Sequence, residues 1–167
     1  MSGRAAKKAP AEPLYTPDQR RRRDETRWTL VQGLLAPVQF AIFIVSLYLV
    51  LRYLQTGEGY EAATVSVVAK TLALYTIMVT GSLWEHAVFG RYLFAPAFYW
   101  EDVVSMAVIV LHTVYLASLV VAGVSPQTQM AIALAAYGIY VVNAAQYIFK
   151  LRRARLEVAS TMAGQPS

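Results

Sequence analysis

The sequence predicts an all-α integral membrane protein, a four-helix bundle with both termini in the cytoplasm. Three observations predict it. Of 167 residues, 57% are hydrophobic and only 15% charged, against about 45–50% and about 25% in ordinary soluble domains. The charges are also sorted along the chain. Residues 1–27 hold eight basic and four acidic side chains, whereas Trp28 to Leu151 holds nine charges in 124 residues. The net charge of +5 therefore lies at the ends, a pattern of anchored termini and not of a nucleic-acid-binding face. The length suits one domain, and the absence of cysteine excludes disulfide-stapled modules and Cys-ligated metal centres.

Taken in order, residues 1–27 form a basic segment, Ala/Pro/Lys-rich at its start, expected to be largely flexible and to lack the apolar core of a signal peptide. Residues 28–151 form the transmembrane domain. A bilayer core of ~30 Å needs about 20 apolar helical residues, and four segments qualify, near 28–54, 62–89, 103–122 and 128–150. The first is uncharged from Trp28 through Leu51, and the second is interrupted by Lys70 and ends at Glu85-His86. Val103 to Phe149 carries no Asp, Glu, Lys or Arg, enough for two spans divided by the Ala122-Gly123-Val124-Ser125-Pro126 turn. Residues 152–167 are a basic tail. Arg20 to Arg23 and Arg27 precede the first span, and Lys150, Arg152, Arg153 and Arg155 follow the fourth. Basic flanks mark the cytoplasmic side, although Arg52 beside the 55–61 loop runs against the rule. The Gly90–Glu101 connection is rich in aromatic side chains and is expected to lie along the interface, as a belt or as a lid.

Each span carries a polar stripe at helical spacing: Gln32, Gln39 and Ser46; Lys70, Gly81 and Glu85; Glu101, Ser105 and His112; Asn143 and Tyr147, with Gln146 beside them. Such groups are costly in hydrocarbon and should face one another inside the bundle. For the amides and hydroxyls, interhelical bonding of ~0.6 kcal/mol per contact suffices. The ionisable residues need a reason. Glu85 and His86 end the second span and Glu101-Asp102 begin the third, at one depth. Like charge and desolvation favour keeping a proton on such a cluster, which leaves an acid available near neutral pH. Helix-end chemistry is the competing account of Glu101 and Asp102, and Arg91 is expected to pair with one of these acids. His86 and His112 differ by too much depth to share one haem. No phosphate loop, dinucleotide fingerprint, zinc-protease motif or nucleophile elbow is present.

Several runs resemble the 2-vinyl bacteriochlorophyllide hydratase family: Tyr15-Thr16-Pro17-Asp18-Gln19-Arg20, Trp28-Thr29-Leu30-Val31-Gln32-Gly33, Lys70-Thr71-Leu72, Met78-Val79-Thr80-Gly81 and Val142-Asn143-Ala144-Ala145-Gln146. The most specific is Phe94-Ala95-Pro96-Ala97-Phe98-Tyr99-Trp100-Glu101-Asp102-Val103-Val104-Ser105-Met106, and the likeness extends from about Tyr15 to Arg155. It implies a hydro-lyase that hydrates the ring-A vinyl group of chlorophyllide a, or of 3-vinyl bacteriochlorophyllide, to a 1-hydroxyethyl group in bacteriochlorophyll synthesis. It further implies no cofactor, a bacterial cytoplasmic or intracytoplasmic photosynthetic membrane, and partners limited to the magnesium chlorin, lipid and other enzymes of that synthesis, with no nucleic acid.

The resemblance carries no residue roles, so these follow from chemistry. Glu101 or Asp102 is expected to protonate the terminal vinyl carbon, with Glu85 or His86 orienting the water. Candidate substrate-binding residues are Lys70, toward a carboxylate, Arg91, Trp100 in the aromatic loop, Asn143, and His112 as a ligand to the substrate's magnesium; the protein has no metal of its own. A chlorin carrier or assembly factor would use the same cavity, and a proton-coupled transporter is a third reading. The latter fits less well, because the acids lie toward one face of the membrane.

Overall fold

A computed structural model describes residues 13–163, with side chains to residue 156. The expected flexibility of the first twelve residues and the far end of the basic tail lie outside the described residues. Five helices follow in order: α1 (Pro17–Glu25), α2 (Arg27–Thr56), α3 (Tyr60–Phe89), α4 (Tyr99–Val120) and α5 (Pro126–Ala163). There is no strand among the described residues. α2, α3, α4 and α5 (to Leu156) are each long and apolar enough to cross a membrane, so the chain is a multi-pass membrane protein.

α1 lies within the segment expected to be largely flexible. Its local signals are strong. Thr16 and Gln19 form a reciprocal capping box and Pro17 occupies the first turn. α2 stops at Gly57 and α3 at Gly90, both left-handed (φ 74° and 75°), a conformation glycine adopts without steric cost. α4 begins at Tyr99, four residues ahead of the sequence boundary, so Glu101 and Asp102 occupy its first turn and face the positive end of the helix dipole. α5 meets no stop signal at 150 and carries Arg152, Arg153 and Arg155 on as helix.

The polar stripes point inward. Gln39, Ser46, Lys70, Glu85, Ser105, His112 and Asn143 are all buried. Exposed Leu30, Leu34, Val65, Leu72, Val79 and Val110 coat the outside instead, as hydrocarbon requires. A first apolar core (Phe43, Val67, Leu74, Val108, Tyr115 and Tyr137 among its members) fills the loop end and middle of the bundle. Within it the Ser46 hydroxyl bonds those of Ser66 (2.7 Å) and Tyr137 (2.6 Å). A second cluster closes the end that carries the termini, where Tyr15, Val88 and Phe98 pack with Trp84, Phe89 and Tyr147.

Between these two cores the bundle opens. No residue of α2 before Gln39 is buried. This half of α2 leans on α3 through Gln32 Nε2, which donates to Thr80 Oγ1 (2.7 Å), and through Thr29 Oγ1, which accepts from Trp84 Nε1 (2.9 Å). It stands clear of α5. Pro37 lies inside the helix at this point and, having no N–H, leaves the Gly33 carbonyl without its usual partner.

Candidate active site

The gap between α2 and α5 is a cavity of about 1150 Å³. Small and apolar side chains make its facing walls: Gly33, Ala36 and Phe40 on α2, and Ala144, Ile148 and Leu151 on α5. Thr29, Gln32 and Gln39 of α2 and Asp24 of α1 are polar members of its lining. Glu85, Asp102, Ser105, Asn143 and Tyr147 meet on one side, contributed by α3, α4 and α5. Arg20, Arg23 and Arg155 lie on the lining as well.

Glu85 and Asp102 are 4% exposed each and lie beside one another on the lining. The aromatic loop fixes the pair. Phe94 N donates to Asp102 Oδ2 (2.8 Å) and Ala95 N donates to Glu85 Oε1 (2.6 Å). Phe94 has a left-handed backbone (φ 58°), which costs a bulky residue ~1–3 kcal/mol. In exchange two successive amides present themselves to the two acids, an anion-holding arrangement. Tyr147 lies beside Asp102 and Ser105, and Asn143 Nδ2 donates to Ser105 Oγ (2.9 Å). Asn143, Ser105, Tyr147, Asp102 and Glu85 thus form one polar cluster on the cavity wall. Asn143 Oδ1 is buried without a hydrogen-bond partner among the described residues.

The other candidates are dispersed. Glu101, adjacent to Asp102, points to a different side and is ion-paired with Lys150, whose Nζ also donates to the Ala97 carbonyl and lies over the Phe98 ring. It does not line the cavity. His86 is exposed and stacks on Tyr92 (4.2 Å between centroids). Trp100 is 69% exposed and packs edge-on against Tyr99. The expected pairing of Arg91 with an acid is not found. Among the described residues Arg91 forms no ion pair, because backbone amides and Lys150 already hold the three acids. Lys70 and His112 are fully buried and lie outside the lining. Lys70 Nζ sits 3.7 Å from the centroid of Tyr140, a ring that does line the cavity. His112 uses Nδ1 toward the Val108 carbonyl (2.8 Å), leaving Nε2 unpartnered.

Sequence reasoning passed over Tyr147 and Ser105 as site members. Their spacing from Asn143 and Asp102, four and three residues, was the available signal, since such neighbours share a helix face. Arg20 and Arg155 were read only as topology signals.

Residues 15–153 match the family model described as 2-vinyl bacteriochlorophyllide hydratase. Two curated relatives bear the same name. The protein of Rhodobacter capsulatus is 64% identical over 151 residues, covering 90% of this chain and 88% of its own length. That of Cereibacter sphaeroides is 63% identical over 150 residues, covering 90% and 93%. No solved structure matches.

Proposed function

Since the chain belongs to the 2-vinyl bacteriochlorophyllide hydratase family and is a hydro-lyase, we propose that it adds water across the ring-A vinyl group of a chlorophyllide-type pigment, with the proton shared by Glu85 and Asp102 as the acid. The observation that carries this reading is the carboxyl pair on the wall of a largely apolar cavity. The substrate is chlorophyllide a or its bacteriochlorin counterpart, bound from the membrane.

The reaction needs no oxidant. The O–H bond of the protonated carboxyl breaks as a C–H bond forms at the terminal vinyl carbon, drawing on the π pair. The cation left on the inner carbon is delocalised into the macrocycle. Water attacks that carbon, its C–O bond forms, and its surplus proton returns to the carboxyl pair. Proton transfer of this kind contributes about 10²- to 10⁴-fold to a rate. The Tyr147 hydroxyl, beside the acids on the lining, is suited to hold the attacking water, with Asn143 fixing Ser105 next to it. Glu101, neutralised by Lys150, and His86, stacked outside the cavity, have no part in this scheme. Nor does His112, which stands away from the lining.

The test is to supply chlorophyllide a in oxygen-18 water to membranes that contain this protein alone, with pigments resolved by chromatography and mass spectrometry. One labelled water gained, absent from control membranes, is the expected result. Pigment bound by folded protein yet unchanged would overturn the hydratase reading and leave a carrier.

A further inference from the structure

The acids account for one side of the cavity; three guanidinium groups line another part of it. Arg23 is already engaged. It donates from Nε to Asp24 Oδ1 (2.8 Å) and its guanidinium lies 5.0 Å from the centroid of the Tyr15 ring. Arg20, on the same short helix, and Arg155, near the far end of α5, line the cavity and form no ion pair among the described residues. Arg155 stands eight residues beyond Tyr147, about 12 Å along the helix axis. The cavity is therefore charge-sorted, with the carboxyl pair of Glu85 and Asp102 in one place and three cations against the single acid Asp24 in another.

We propose that Arg20 and Arg155 form a carboxylate subsite, one that selects a pigment carrying a free propionate over its ester and fixes the rotation of the macrocycle so that its vinyl group faces Glu85 and Asp102. This rests on the function proposed above. A guanidinium binds a carboxylate through a planar fork of donors, whereas an ester offers it no charge. The α2 and α5 walls between the two regions carry no charge to fix the rotation of a flat ring, so the charged regions set its orientation.

The experiment compares chlorophyllide a with its propionate methyl ester, using the full chain in nanodiscs of zwitterionic lipid. Exposed charge pairs of this kind are worth about fivefold each. Arg20→Gln and Arg155→Gln should each raise KM for the free acid about fivefold, with kcat kept and the ester unaffected. Arg22→Gln, on α1 but off the lining, should change neither. A wild-type enzyme that treats acid and ester alike would overturn the subsite, as would variants that weaken both pigments equally. An effect seen only when anionic lipid is present would assign the arginines to lipid phosphate instead. If the wild type binds pigment without hydrating it, Kd values from absorbance titration read the same acid-to-ester preference. The fate of the subsite is thereby separated from that of the hydratase reading.

Discussion

Glu85→Gln separates the two tasks that the geometry gives Glu85. A glutamine Oε1 can accept from Ala95 N as Glu85 Oε1 does at 2.6 Å, and its NH₂ can donate to Asp102 in place of the shared proton. The loop anchor survives while the transferable proton is lost. The fold should therefore change by less than about 1 kcal/mol, and turnover should fall by about 10²- to 10⁴-fold, the usual worth of a positioned acid. Glu85→Ala behaves differently, because the buried Ala95 amide is left without an acceptor at a cost of about 1–3 kcal/mol. Turnover is read by pigment chromatography. Stability is read by thermal melts followed through tryptophan fluorescence, for which Trp84 is well placed between Phe89 and Phe98. A Glu85→Gln protein that melts like its parent and turns over at a near-normal rate would refute the shared-proton mechanism. Equal loss of stability in both variants would show that the carboxyl serves the loop alone.

Three further outcomes follow from separate parts of the structure. Gly33 lines the cavity and a Cβ there meets nothing within 4 Å; Gly33→Ala should be neutral or slightly stabilising, whereas Gly33→Phe should keep the fold and cut kcat/KM about tenfold by occupying the cavity. Lys150→Met strands Glu101, whose side chain is 8% exposed, and should cost about 3 kcal/mol, the lower end for a broken buried pair since Lys150 is a quarter exposed; adding Glu101→Gln should restore most of it, as judged by melting, with turnover intact. At Phe94, whose φ is positive, Phe94→Gly should melt within about 1 kcal/mol of the parent, strain relieved against entropy gained by the unfolded chain. Phe94→Val should fall below it and lose activity as the two amides leave their carboxylates, since a β-branched residue is a poor fit to the left-handed region.

The bundle was legible because both of its signals are local and periodic. Twenty apolar residues make a span, and a polar group every three or four residues marks the face turned from lipid. That is how Gln39, Ser46, Lys70, Glu85 and His112 could be placed inside from spacing alone. The capping box at Thr16 and Gln19 was equally local, but the four arginines after it spoke only for topology. What spacing could not decide was the choice between Glu101 and Asp102. Neighbours on a helix differ by about 100° in direction, and which one meets Lys150 depends on a residue 49 positions away. The contact of Glu85 with Asp102 depends likewise on the course of the 90–98 loop, set by a left-handed Phe94 that no propensity favours. The cavity has no local signature at all, because it arises where half of α2 fails to pack.

Pro37 stands at the hinge of that failure. It falls two residues before Gln39, the first buried position of α2, so the missing backbone bond coincides with the border between the packed half of the helix and the half that walls the cavity. Bending a helix ordinarily means stretching bonds that hold it together; here one of them is already absent. The half of α2 that walls the cavity is tied to α3 through Thr29 and Gln32 and not to the packed half by an unbroken ladder. The helix can therefore follow α3 on one side of Pro37 and the bundle core on the other, because one residue's nitrogen carries no hydrogen.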